Sequence, residues 1–249
     1  MVIGVGLLGL LVGLLSGFMG AGGAIITVPA LVYVAGIPVE TAISTSLIMG
    51  AVIPITALLP RLRQGLVAWK AVAAVTVAGI PAAWGGTLVG TLLSAKVTLL
   101  IFAVLMIASG VQMLRKRPNP PEEGRTPRAW VLRALVVGVF VGFLTGLLGV
   151  GGGFITVPAL VLALDIPIGT AIGTSLAIAI LNSVAALLAH LGASAPDWGI
   201  AVVFAIPAAV ASVVSAYFAG RVHHRVLQIA FAVLVFAVAA FTIVQAATS

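Results

Sequence analysis

Long apolar runs separated by short polar stretches fill this chain from end to end. Uncharged stretches cover residues 2–18, 42–59, 71–93, 97–114 and 226–244. Runs of about 17–25 apolar residues match the hydrocarbon thickness of a bilayer. Short segments of alternating apolar and polar residues, the signature of a membrane β-barrel, are absent. The pattern predicts helices that cross a membrane. Bounded by polar residues, the segments fall at about 2–35, 41–59, 67–93 and 97–114, then at about 130–164, 168–190, 198–219 and 225–246. The expected fold is an all-α polytopic membrane protein.

The second set of segments repeats the first. Adding 129 carries Gly13 onto Gly142, Pro29 onto Pro158, Thr45 onto Thr174 and Trp69 onto Trp198, and 21 of the 35 residues in 13–47 are identical to their partners. The organisation expected is two homologous four-segment repeats, 1–114 and 129–249, joined by RKRPNPPEEGRTPR at 115–128. Prolines and charges make that joint a solvated linker.

The first segment of each repeat is too long for one crossing. Some 34 helical residues would reach about 50 Å, against about 30 Å of hydrocarbon. Each contains a glycine cluster, GAGG at 20–23 and GVGGG at 149–153, where the helix must break. The break gives either one kinked crossing or a re-entrant hairpin. A kinked crossing makes the repeats parallel; a hairpin makes them inverted. Lysines and arginines gather on the cytoplasmic side. With the linker inside, the hairpin leaves only Lys96 outside, whereas the single crossing also puts Arg221 and Arg225 outside. Inverted repeats are therefore expected.

Non-helical backbone survives at membrane depth only inside protein or beside a water-filled cavity. Glycine accepts positive φ and lets a ligand approach closely. A helix resuming after such a break offers unpaired N–H groups and a positive dipole end, which together attract an anion. Paired breaks in two repeats point to a transporter's central site. The candidate substrate-binding backbone is Gly20, Gly22 and Gly23, with Gly149, Gly151, Gly152 and Gly153 as its twin. Gly9, Gly13 and Gly17, and Gly138, Gly142 and Gly146, are spaced for close helix packing instead. Gly4, Gly6 and Gly9 spell GxGxxG, but no strand precedes them and no nucleotide site is read there.

Polar side chains within apolar segments are costly and so become candidates. Thr45, Ser46, Thr174 and Ser175 open the second segment of each repeat. Their hydroxyls either face substrate or bond back to their own helix. Thr27 and Thr156 follow the breaks, and Asn182 has Ile53 as its partner at the same offset. Pro29 and Pro158 are expected to bend or stop the resumed helices. Glu40, Asp165 and His190 lie near segment ends, where solvation is expected. Arg61 and Arg63 sit where they could attract an anion from the cytoplasm, but topology setting is the stronger reading, and Trp69, Trp130 and Trp198 read as interfacial anchors.

Composition narrows the function further. Charged residues are 7% of the 249, the net charge is +7 and cysteine is absent; mean hydropathy is +1.33. Disulfides and thiolate chemistry are excluded. The basic residues sit between apolar segments, which argues for topology rather than nucleic-acid binding. The N-terminus lacks a basic stretch before its apolar run, so a removable signal peptide is not expected. With three histidines and five acids, two of them in the linker, no acid–base pair or metal cluster emerges. An intramembrane enzyme is thus the weaker reading, and no cofactor is expected.

GLLSGFMGAGGAIITVPAL (13–31) with IPVETAISTSL (37–47), and GFLTGLLGVGGGFITVPAL (142–160) with IPIGTAIGTSL (166–176), together resemble the sulfite exporter TauE/SafE family of membrane permeases. The resemblance implies transport of sulfite or another small sulfur-containing anion, or of an organosulfonate, across the cytoplasmic (inner) membrane. Ala24 and Ser44 depart from their partners Gly153 and Gly173, so the first half-site is expected to be narrower or to hydrogen-bond differently. The leading expectation is a secondary transporter working by alternating access, with a passive anion channel as the alternative. No P-loop is present, so a gradient or the membrane potential drives transport. At a neutral site the potential favours anion export by about 2.3 kcal/mol per 100 mV. Expected partners are a small anionic substrate and the lipid bilayer, with a homo-oligomer left open.

Overall fold

The computed structural model describes residues 2–20, 24–115, 127–148, 153–190, 196–219 and 224–248. Among the described residues the chain is helical throughout: α1 (Val2–Met19), α2 (Ala24–Tyr33), α3 (Val39–Arg63), α4 (Trp69–Gly90), α5 (Ala95–Arg115), α6 (Pro127–Leu148), α7 (Gly153–Ala163), α8 (Ile168–His190), α9 (Trp198–Ala219) and α10 (His224–Thr248). Among the described residues five of them, α3, α4, α6, α8 and α9, are long and apolar enough to cross a membrane. Large apolar side chains stand on the outer surface, Val77, Leu88, Val136 and Val210 among them. So broad an apolar exterior suits lipid rather than water. The interrupted segments separate as the glycines predict, into α1 with α2 and α6 with α7. Pro29 and Pro158 lie inside α2 and α7 and do not end them.

Small residues decide how the helices meet. Gly9, Gly13 and Gly17 face Phe204, Ala208 and the Ser212–Ser215 turn in the same order, so α1 and α9 run parallel at close range. Gly138, Gly142 and Gly146 face Val75, Gly79 and Ala83, so α6 runs parallel to α4. A Cβ on Gly142 would collide with the carbonyl of Gly79, and one on Gly13 with that of Ala208. These two pairs, each joining the first half of the chain to the second, are its most extensive helix contacts.

Polar contacts orient the remaining long helices. Thr45 meets Asp197 and Thr56 meets Ser212, so α3 runs with α9. Thr174 meets Ala68 and Asn182 abuts Gly79, so α8 runs with α4. Residues 64–68 turn α3 back into α4. Accordingly α1, α3 and α9 point one way and α4, α6 and α8 the other. Because α1 and α3 are parallel, α2 carries the chain back between them; α7 does the same between α6 and α8.

Both short helices end alike. The amide of Ile37 bonds the carbonyl of Leu31 at 3.3 Å, and that of Ile166 bonds Leu160 at 3.2 Å. Gly36 and Asp165 hold left-handed φ angles of 69° and 54° within these caps. Such a cap closes a helix by turning its last carbonyls onto amides beyond its end. Asp165, seen in the sequence as a solvated end-group, thus occupies the place glycine fills in the first half. The core between the layers contains Phe102, Met106, Leu144, Leu160 and Ile178, with a second cluster around Val12, Leu31, Met49 and Phe204.

Candidate functional site

The first break begins at Gly20, whose φ of 81° continues neither helix. It lies against α8: a Cβ on Gly20 would stand 2.9 Å from Ser175 Oγ and 3.2 Å from the carbonyl oxygen of Ile172. A break in the first half thus touches the threonine–serine turn of the second. Gly22, Gly23, Gly149, Gly151 and Gly152 lie outside the described residues. Gly153 opens α7, as Ala24 opens α2.

The four hydroxyls of the threonine–serine turns divide into two roles. Ser46 donates to the carbonyl of Ile43 and Ser175 to that of Ile172, both at 2.8 Å. These are back-bonds within α3 and α8. Thr45 and Thr174 reach across to the other half instead. Thr45 Oγ1 accepts the amide of Asp197 at 3.0 Å, and Thr174 Oγ1 accepts that of Ala68 at 2.9 Å. Ala68 is the N-cap of α4. Asp197 precedes α9 and its Oδ1 accepts the amide of Ile200 at 2.9 Å. The conserving logic is the supply of acceptors to amides that have no helical partner.

Of three further buried groups, two have no hydrogen bond. Thr27 on α2 is fully buried and its Oγ1 has no hydrogen bond. Thr156, its counterpart on α7, is equally buried. Asn182, midway along α8, is fully buried with neither amide atom bonded. It is wedged against Gly79 of α4, whose added Cβ would stand 2.9 Å from Asn182 Oδ1 and 3.3 Å from the carbonyl oxygen of Gly138 on α6. Ser183 Oγ and Thr76 Oγ1 are buried and unbonded too. Buried polar groups normally find partners. A set of unbonded ones in the middle of crossing helices is what a ligand or water would satisfy.

Sequence reasoning missed the burial of Arg61. It is 4% exposed, whereas Arg63 two residues on is exposed. Its Nη2 donates to the carbonyl of Gly17 at 3.1 Å and its Nε has no partner. The available signal was helical spacing: Arg61 follows Pro54, Ala57 and Leu58 at seven, four and three residues, and all three are buried. Beside it α9 supplies Ser212 and Ser215, the first bonded to Thr56 at 2.6 Å and the second reaching toward Gly13 O at 3.4 Å.

A separate groove of about 970 Å³ runs between α4 and α6 near Trp69, Lys70 and Trp130, and it contains none of the break residues. Its walls are otherwise apolar and it is open to the outer surface. Trp69 and Trp198 begin α4 and α9 with most of their surface exposed. Among the described residues no cluster of histidine, aspartate and glutamate could hold a metal ion.

Comparison with known proteins agrees with this architecture. A family model described as Sulfite exporter TauE/SafE matches residues 5–242. The chain is 32% identical over 199 residues to a "Probable membrane transporter protein" of Xylella fastidiosa, covering 79% of this chain and 76% of that one. It is 26% identical to a similarly named protein of Methanocaldococcus jannaschii, over 76% of this chain and 72% of that one. To YunE of Bacillus subtilis, also named a probable membrane transporter protein, it is 25% identical over 77% and 78%. No solved structure matches. With a match across nearly its whole length and several helices built to cross a bilayer, the chain belongs to the sulfite exporter TauE/SafE family of multi-pass membrane transporters.

Proposed function

We propose that the chain is a secondary transporter of small anions in the cytoplasmic membrane, with a sulfur oxyanion or organosulfonate as its substrate class. In this reading residues 1–114 and 129–249 are inverted repeats joined by a cytoplasmic linker at 115–128. The substrate lies where the repeats meet and is reached alternately from the two sides. Inversion is supported by the opposed directions of α3 and α8, which are counterparts at the 129-residue offset. The return of α2 between the parallel α1 and α3 supports a re-entrant hairpin.

The contact of Gly20 with Ser175 carries the proposal. It joins the break of one half to the polar turn of the other, as a shared site requires. The N-terminus of α2 resumes four residues beyond Gly20, aiming unpaired amides and a positive dipole end at the break region. Thr27, Thr156 and Asn182 supply polar groups within the bilayer. Thr45, Ser46, Thr174 and Ser175 hold backbone amides and carbonyls in place and, in this reading, line the approach to the site.

Reconstituted protein tests this directly. Saturable, counterflow-capable uptake of sulfite or an organosulfonate into proteoliposomes is expected. Currents at channel rates, or no flux of any such anion, would overturn the reading. Replacing Gly22 and Gly151 together by leucine should abolish uptake in folded protein; undiminished uptake would make the breaks packing elements.

A further inference from the structure

Arg61 is the one charged side chain that is buried among the described residues. Within an otherwise apolar membrane bundle, an ionised group without a counter-ion is strongly unfavourable. A role in topology needs only an arginine at the headgroup level, and exposed Arg63 fills that role two residues later. One carbonyl, that of Gly17, accepts from the guanidinium, and Nε–H is left without an acceptor. The C-terminal end of α1 offsets part of the charge, but a guanidinium carries five hydrogens in a rigid fork.

Position adds to this. Gly17 precedes Gly20 by three residues, so Arg61 stands beside the end of α1 where the first break begins. At the 129-residue offset Arg61 falls on His190, Thr56 on Ala185, and Ser212 and Ser215 on Ala83 and Gly86. The duplicated partner of this polar cluster is therefore largely stripped of hydrogen-bonding side chains.

Resting on the anion-transport reading, we propose that Arg61 is the fixed counter-charge of the substrate. The guanidinium binds the anion beside the C-terminal end of α1 with Nε–H and its remaining Nη hydrogens, while Gly17 O anchors the group. A planar fork of donors matches a head group with two or more acceptor oxygens. Arg61 then selects sulfite or a sulfonate over a halide, which offers a single acceptor atom.

The test uses the full chain in nanodiscs, with sulfite, methanesulfonate and chloride compared at equal ionic strength. For the wild type, Tm should rise with sulfite or methanesulfonate beyond its value in chloride. Arg61→Gln should remove that rise and raise the KM for uptake by at least tenfold. Arg61→Lys, which keeps the charge and loses the fork, should retain binding but lose most of the preference over chloride. Arg63→Gln should leave both readouts unchanged. A purely structural arginine predicts a different outcome: Arg61→Gln lowers Tm equally in all three salts and leaves KM as it was. That result overturns the proposal. If Arg61→Gln does not yield folded protein, Arg61→Lys decides, because unchanged selectivity and KM in that variant are equally fatal. Wild-type protein that neither binds nor carries any oxyanion would sink the transport reading itself. Oxyanion transport indifferent to Arg61 would sink only this one.

Discussion

Thr45 on α3 holds the backbone amide of Asp197 at the head of α9, at 3.0 Å. Its counterpart Thr174 on α8 does the same for Ala68 at the head of α4, at 2.9 Å. Each residue of the first pair is 129 removed from its partner in the second. Two reciprocal side-chain bonds thus fasten each half of the chain to the start of a helix in the other.

Removing either hydroxyl leaves a partly buried amide without its acceptor. Thr45→Val and Thr174→Val should each lower unfolding stability by about 1–3 kcal/mol. Thermal unfolding in detergent measures this, and Thr45→Ser should recover most of the loss. As the two bonds lie toward opposite ends of the bundle, the double variant should be close to the sum.

The two helix heads differ in one respect that can be repaired. Asp197 caps α9 through Ile200, whereas Ala68 gives α4 no side-chain cap. Ala68→Asp should therefore stabilise the protein, by about 0.5–2 kcal/mol. A fall in Tm would mean that the α4 terminus cannot reproduce the α9 geometry.

Close backbone approach makes Gly142 intolerant of any side chain. Gly142→Ala should cost about 1–3 kcal/mol through overpacking against Gly79. Gly4, with nothing within 4 Å of an added Cβ, provides the contrast. Gly4→Ala should be neutral or stabilising by up to about 1 kcal/mol, because alanine is the better helix former. Equal effects on Tm would contradict the α4–α6 register.

Asn182 presents a conflict between stability and use. Both of its amide atoms are buried and unbonded, and the equivalent position holds Ile53. Asn182→Leu, similar in shape, should raise stability by about 1–2 kcal/mol by removing an unsatisfied group. The same change should cut uptake into proteoliposomes at least tenfold. A more stable variant with unaltered uptake would remove Asn182 from the transport path.

Gly36 isolates backbone strain from packing, since a Cβ there meets nothing within 4 Å. Its φ of 69° disfavours any side chain. Gly36→Ala should destabilise by about 1–2 kcal/mol, read as a lowered Tm. An unchanged Tm would indicate that the cap after α2 rearranges freely.

Much of the architecture was legible because its causes are local. Apolar length and charged boundaries locate α3, α4, α8 and α9 to within a few residues, since every backbone group inside a bilayer must pair along its own helix. Glycine clusters likewise announce the breaks before α2 and α7. Pro29 and Pro158 were expected to bend or stop the resumed helices; they do not stop them, although each removes one backbone hydrogen bond inside its helix.

Partners were another matter. Nothing local says whether the hydroxyl of Thr45 bonds its own helix, as that of Ser46 does, or reaches Asp197 some 150 residues away. Arg61 shows part of the same gap: helical spacing puts it on the buried face of α3, but its partner, the carbonyl of Gly17 on α1, is set only by packing.

By itself, then, the sequence determined which segments are helical and where two of them are interrupted, because hydropathy and glycine content are properties of contiguous residues. Tertiary structure alone decided that α1 pairs with α9 and α6 with α4, and that Arg61 meets the carbonyl of Gly17. Those outcomes depend on which small-residue faces meet across more than a hundred residues, and such complementarity exists only once the helices are packed.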